Sequence, residues 1–447
     1  MLMFCNRYHF CVRLSWRHKK ERADWVMKIR VKRALAGLFL AGALGAAGCG
    51  NNDSGESGQE NAGDSGEKVL TVSIEEIYSD YFESIKGDFE EEHDVTVEFV
   101  FREQLEQAEA LPLDGPAGIG PDVMMIPYDR IGQLAQQGHL ATVTVPDDGR
   151  FNDTDIQQVT VDDQIYGMPY LLETLVLYYN KDLVETEPAT FEDLEALMQN
   201  EEYNFDIEEG KNTGFLANWL DFYYSYGLFA GYGGYIFGDE GTDPTDVGLN
   251  NEGSVEALEY LTEWYAQWPQ GMQDEGTVGD FIDTSFIDGK TAAVINGPWG
   301  AANYEEGGVN FGVTTIPTLP NGENYQPFAG GRGWVISNYS EDIELSQAWL
   351  EYITTHDNQL AFYEMVQQIP ANIETRQVLL EEGTEVEAAV VEQYENANPM
   401  PNIPQTAEVW DNAKNMIFDT VSGNKSAEES ANDTVEVIQQ LIEQKYE

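Results

Sequence analysis

The sequence predicts an α/β protein of two lobes, built from mixed sheets with helices on both faces. Three observations carry this prediction. Strand and helix patterns alternate from residue 69 onward, and one strand-like run is longer than a strand within one sheet needs. The chain is also long enough to bury two cores.

The opening reads as a βαβ unit. VLTVSI (69–74) alternates and is rich in β-branched residues, YFESIKGDFEEEH (81–93) carries apolar residues at helical spacing, and VTVEFVF (95–101) is again a strand. GPDVMMIP (120–127) predicts a third, buried strand, and DRIGQLAQQG (129–138) a helix stopped by Gly138. The long run YGMPYLLETLVLYYN (166–180) reads as a crossover between lobes. TFEDLEALM (190–198) is a helix with Thr190 as N-cap, and 218–234 and 255–268 are further amphipathic helices. AAVING (292–297), FGVTTIP (311–317) and WVIS (334–337) are strands, and 381–447 is mostly helical, interrupted at Pro401 and Pro404. No solenoid-type repeat is present.

An export signal precedes this body. Lys28, Arg30, Lys32 and Arg33 stand before the apolar run ALAGLFLAGALGAAG (34–48), which is shorter than the roughly 20 residues a membrane helix needs. Residues 1–48 are therefore expected to be a signal segment, and Met27 begins a well-formed signal by itself. The AAGC ending at Cys49 resembles a bacterial lipobox, which implies lipidation of Cys49; an ordinary secretory signal is the alternative. The linker GNNDSGESGQENAGDSGE (50–67) has nothing to bury, so 49–67 is expected to be a lipidated, flexible tether. Cys5 and Cys11 precede the expected cut, leaving Cys49 alone and no internal disulfide.

Charge excludes whole classes of partner. The chain carries a net charge of −57; residues 1–48 hold 10 Lys and Arg and 2 Asp and Glu, so the rest keeps 13 basic and 78 acidic residues, net −65. Nucleic acids and anionic membrane surfaces are attracted by clustered Lys and Arg, so neither is an expected partner. The acidity suits a saline or alkaline exterior, or reflects acidic drift at surface positions.

Signatures of catalysis are missing. There is no Walker loop, G-x-S-x-G elbow or H-E-x-x-H motif, and beyond residue 48 the only histidines are His93, His139 and His356. GPAGIG (115–120) lacks strand-then-helix context and reads as a loop, and GDEGTDPTD (238–246) as a solvated acidic loop in preference to a calcium site. No catalytic residue, metal or cofactor is expected. Glu173 and Asp221 could be cast as the acid and base of a glycosidase, but their separation is not visible in the sequence.

Aromatic residues beside polar ones are abundant: DFYYSY (221–226), GYGGYIF (231–237), Trp299 and Trp410. Flat faces with polar tips suit sugar rings, although core packing is the commoner use of any one tyrosine. Trp299 stands out because it follows Asn296-Gly297-Pro298, a turn at a strand end where α/β proteins bind ligands.

The stretches GPDVMMIPYDRIGQLAQQGHLA, LLETLVLYYNKDL, DVGLNNEGSVEALEYL, GKTAAVINGPW, NFGVTTIPTLPNG and PMPNIPQTAEVW resemble extracellular solute-binding proteins of sugar ABC transporters, specifically the maltose and maltodextrin-binding branch. The resemblance implies a type II, periplasmic-binding-protein-like fold with crossing hinge segments. It places the first lobe at 68–172 plus about 330–370 and the second at 173–329 plus about 371–447. It implies a lipid-anchored monomer on the extracellular face of the membrane that binds a maltodextrin-like sugar and hands it to permease subunits. Its ten ligand-binding positions fall on Glu76, Asp129, Arg130, Glu173, Asp221, Tyr223, Tyr224, Trp299, Met400 and Trp410. The family's Asp-Lys pair near the first helix falls on Glu76-Ile77 and its first-lobe tryptophan on Ile126, departures that bear on which sugar is bound.

Overall fold

The computed structural model describes residues 68–446. The signal run, Cys49 and the linker to Glu67 lie outside them.

Strand Lys68–Ile74 pairs in parallel with Val95–Phe101 on one side and Val123–Pro127 on the other. Helix Ser79–His93 makes the first crossover and stops at Asp94, which takes the left-handed conformation (φ 52°) that closes a helix end. The third strand shows why its sequence is continuously apolar. Val123 and Met125 face a core with Phe82, Trp334 and Trp349, whereas Met124 and Ile126 face another with Leu111, Ile131 and Leu134. With period-2 alternation and both faces covered by helices, every position from Val123 to Ile126 is buried, and only Pro127 at the cleft is partly exposed. Strand Phe328–Ser337 completes the centre of this seven-stranded sheet, running antiparallel to Val123–Pro127, Gly167–Glu173 and Leu140–Ala141.

A second, four-stranded sheet orders Phe311–Thr314, Val176–Asn180, Ala293–Asn296 and Phe215–Leu216. Its core is aromatic. Trp219, Trp264 and Trp268 meet at centroid distances of 5.2–5.9 Å, with Phe191 and Phe215 against them, and Trp268 Nε1 donates to the Phe215 carbonyl at 2.6 Å. Each such aromatic pair adds about 0.5–1.5 kcal/mol beyond area burial. Of the aromatic residues noted in the sequence, Phe222, Tyr226 and Phe237 are buried in this same core.

The run 166–180 does cross between sheets. Glu173 is the last residue paired in the first sheet, and Val176 the first in the second. Two further segments pass beside it: Thr174 Oγ1 donates to the Phe328 carbonyl at 2.8 Å, and Leu172 N donates to the Ile369 carbonyl at 2.9 Å. The crossing is tight enough to demand glycine. At Gly331 (φ +143°) a side chain would collide with the Leu171 carbonyl, next to the bulge between Arg332 and Gly333.

Helices Gln104–Asp114, Val278–Ile287, Ala301–Glu306, Ile343–Ile353 and His356–Val366 are among those that have no counterpart in the sequence reading. Strand Phe328–Ser337 also begins six residues before the predicted WVIS, because FAGGRG reads as a loop. The predicted helix cap at Thr190 is present as a full capping box with Asp193.

Candidate functional site

Three parallel strands end on one side of the first sheet, at Ile74, Phe101 and Pro127, and the residues that follow are Glu75, Gln104 and Asp129-Arg130. Ligands of open α/β sheets bind outside these carboxyl ends. A cleft section of about 320 Å³ opens there, lined by Gln104, Pro127, Asp129, Arg130, Glu173, Tyr223, Gly330, Trp299, Met400 and Trp410 among others. A second section of about 670 Å³ shares Gln104, Glu173 and Trp299 and continues past Ala302, Glu305 and Arg332 to Gln368. Both volumes fall in the roughly 300–1,000 Å³ range of small-molecule sites. A groove of about 640 Å³ beside Gly238–Gly241 contains none of the predicted site residues.

One wall is aromatic. Trp299 lies 6.3 Å from Tyr223, centroid to centroid, and the buried Phe328 ring backs the wall, 5.9 Å from Tyr223 and 5.7 Å from Trp410. Local sequence explains how Trp299 reaches it. Strand Ala293–Asn296 ends at Asn296, whose Oδ1 accepts Gly297 N at 2.9 Å and Tyr224 Oη at 3.1 Å, and Pro298 begins a short turn. A Cβ at Gly297 would strike the Trp299 ring, so glycine lets the indole fold back over the turn. Trp299 remains 47% exposed, an unusual position for so large an apolar ring.

The facing groups are polar. Asp129 contacts Arg130 at 3.3 Å; burial lifts the Asp129 carboxyl and Arg130 opposes the rise. Burial, then the charge of Glu173, pushes the Tyr223 phenol up. Such a wall can stack the C–H face of a sugar while carboxylates and guanidinium take its hydroxyls.

Seven of the ten predicted ligand positions therefore line the 320 Å³ section: Asp129, Arg130, Glu173, Tyr223, Trp299, Met400 and Trp410. The other three do not line either section. Asp221 caps helix Phe222–Gly231 by accepting Tyr223 N at 2.9 Å, Tyr224 is held by Asn296, and Glu76 is exposed on the turn Glu76–Tyr78. Ile126 is fully buried and presents no face to a ligand.

Sequence reasoning missed Glu75, Gln104, Gln368 and Arg332. Arg332 Nη1 donates to Glu75 Oε2 and to Tyr78 Oη, both at 2.7 Å, and Nη2 donates to Glu173 Oε1 at 3.0 Å. Tyr78 Oη donates its own hydrogen bond to Gln368 Oε1 at 2.8 Å. Burial lifts the Glu75 carboxyl despite Arg332, and neighbouring Glu103 adds to the rise. An arginine inside a buried strand was the available signal, since such a charge requires partners.

Comparisons with known proteins agree with this geometry. Residues 85–388 match the family model described as bacterial extracellular solute-binding protein. The maltodextrin-binding protein MdxE of Bacillus subtilis is 54% identical over 413 residues, covering 92% of this chain and 97% of that protein. The crystal structure of the maltose-binding periplasmic protein MalE from Listeria monocytogenes, in complex with maltose, aligns with a TM-score of 0.83 at 55% identity, covering 85% of this chain and 99% of that one. MalX from Streptococcus pneumoniae, in complex with maltopentaose, aligns with a TM-score of 0.77 at 45% identity, covering 83% and 100%. The two-lobed α/β fold is what these proteins share with it, and the chain belongs to the bacterial extracellular solute-binding protein family.

Proposed function

We propose that this protein captures maltodextrin-type oligosaccharides between its lobes, 68–172 with about 330–370 and 173–329 with about 371–447, and delivers them to an ABC permease. The observation that carries the reading is that Trp299, Tyr223 and Trp410 line one cleft section together with Asp129, Arg130 and Glu173. The maltodextrin and maltose named for its relatives support it. Contacts from both lobes exist together only when the cleft is closed, so sugar shifts the population toward closure and marks the loaded protein for its transporter. In this reading Cys49 carries the lipid that holds the monomer at the extracellular face of the membrane, and no bond is broken in the sugar.

A thermal-shift series with maltose, maltotriose, longer and cyclic dextrins, and unrelated sugars tests the ligand. A linear maltodextrin present at about 100 times its Kd stabilises the folded protein by about 2.7 kcal/mol, read as a raised Tm. No shift with any maltodextrin would overturn the reading, and new reducing ends on incubation would make the protein an enzyme. For the anchor, intact mass of cell-derived protein is expected to show a diacylglycerol on Cys49.

A further inference from the structure

We propose that Arg332 is the positioning residue of the sugar site, holding the Glu173 carboxylate in the orientation that receives a ligand hydroxyl. This rests on the sugar-binding reading above and adds a residue to it.

The argument begins with placement. Arg332 sits on strand Phe328–Ser337 at the bulge beside Gly331 and Gly333, where the chain crosses between sheets. Glu173 is the last residue of strand Gly167–Glu173 before its own crossing, and Glu75 follows the carboxyl end of Lys68–Ile74. The guanidinium thus ties together three segments that meet at the cleft floor. Its side chain is only 11% exposed, yet it lines the larger cleft section, as does Glu173.

Hydrogen-bond accounting gives the role. Two of the guanidinium nitrogens are used on Glu75, Tyr78 and Glu173, so the fork fixes one oxygen of Glu173. Among the described residues no partner is recorded for Glu173 Oε2, and that side chain is 26% exposed in the cleft, which leaves an acceptor facing the ligand space. Charge leads to the same conclusion. Without Arg332, two carboxylates, Glu75 and Glu173, would share a poorly solvated corner with Glu103 nearby, and like charges there force one carboxylate to take up a proton or swing away. Either response spoils a fixed acceptor. A planar fork can hold two partners at once in a way that a lysine ammonium cannot.

The test is a double-mutant cycle read by calorimetric titration of maltotriose into purified protein: wild type, R332M, E173Q and R332M/E173Q, with R332K beside them. R332M is expected to weaken binding at least about tenfold and R332K less, because lysine restores the charge without the fork. In the E173Q background, adding R332M is expected to change the affinity by less than about twofold. Losses that multiply would show that Arg332 does not act through Glu173 and would overturn the proposal, as would full affinity in R332M. Should R332M fail to fold, the same cycle with R332K decides. Failure of the wild-type protein to bind maltotriose, or any other maltodextrin, would instead remove the sugar-binding reading and this role with it.

Discussion

Trp299→Ala is expected to weaken maltotriose binding at least about tenfold, a loss of about 1.4 kcal/mol, and Trp410→Ala to do the same. Together the two changes are expected to cost about a hundredfold, because Tyr223 and the buried Phe328 behind it separate the two rings. The two positions differ in one respect that the measurement must separate. Trp299 is 47% exposed, so removing it opens no core cavity, whereas Trp410 packs on Phe222 and Phe328 at 6.2 and 5.7 Å and its loss also loosens the second core. Calorimetric affinities paired with the Tm of each sugar-free variant distinguish the effects: Trp299→Ala should leave the sugar-free Tm nearly unchanged, and Trp410→Ala should lower it. Unchanged affinity in both variants would take these rings out of the site.

A larger effect, on stability, is expected from Asp155→Ala. Asp155 is fully buried, Arg376 nearly so, and their ion pair measures 2.6 Å. Burial lifts the Asp155 carboxyl while Arg376 pulls it down. Around the pair, Arg376 lies over the Tyr394 ring at 5.5 Å, and Tyr394 Oη accepts Gln158 Nε2 at 3.0 Å. Removing only the carboxylate strands a guanidinium in a dry interior, which costs about 3–5 kcal/mol, whereas replacing both partners with apolar residues costs far less. Urea unfolding should therefore show a lowered midpoint for Asp155→Ala and substantial recovery in Asp155→Ala/Arg376→Met. A loss below about 1 kcal/mol in the single variant would mean that water or a rearranged side chain compensates the arginine.

Much of the architecture was legible because its elements carry strong periodic patterns. The alternation in 69–74, the helical spacing in 81–93 and the capping residue Thr190 each express a local preference that the tertiary structure keeps. Where local and tertiary demands diverge, the reading stopped short. FAGGRG reads as a loop because glycine is a poor strand former, yet these glycines are present because three chain segments pass so closely that a side chain at Gly331 would meet the Leu171 carbonyl. Helix Gln104–Asp114 was hidden by Pro112 within it. At the site, Trp299 announced itself through the turn Asn296-Gly297-Pro298, but the inward carboxylate after the first strand is Glu75, with Glu76 left exposed. Which of two adjacent glutamates turns inward depends on how the chain leaves the strand, and both residue types look alike in sequence.

By itself, the sequence determined the acidic balance, the alternating α/β order, the crossover at 166–180 and most of the aromatic and acidic residues that line the cleft. These follow from composition, short-range periodicity and family resemblance. Only the tertiary structure decided which aromatics serve the core and which the ligand wall, that Asp221 is a helix cap, and that Glu75, Arg332 and Glu173 meet. Those outcomes depend on residues far apart in the chain, 257 positions for Arg332 and Glu75, and on the desolvation that makes a buried charge seek a partner wherever the fold brings one within reach.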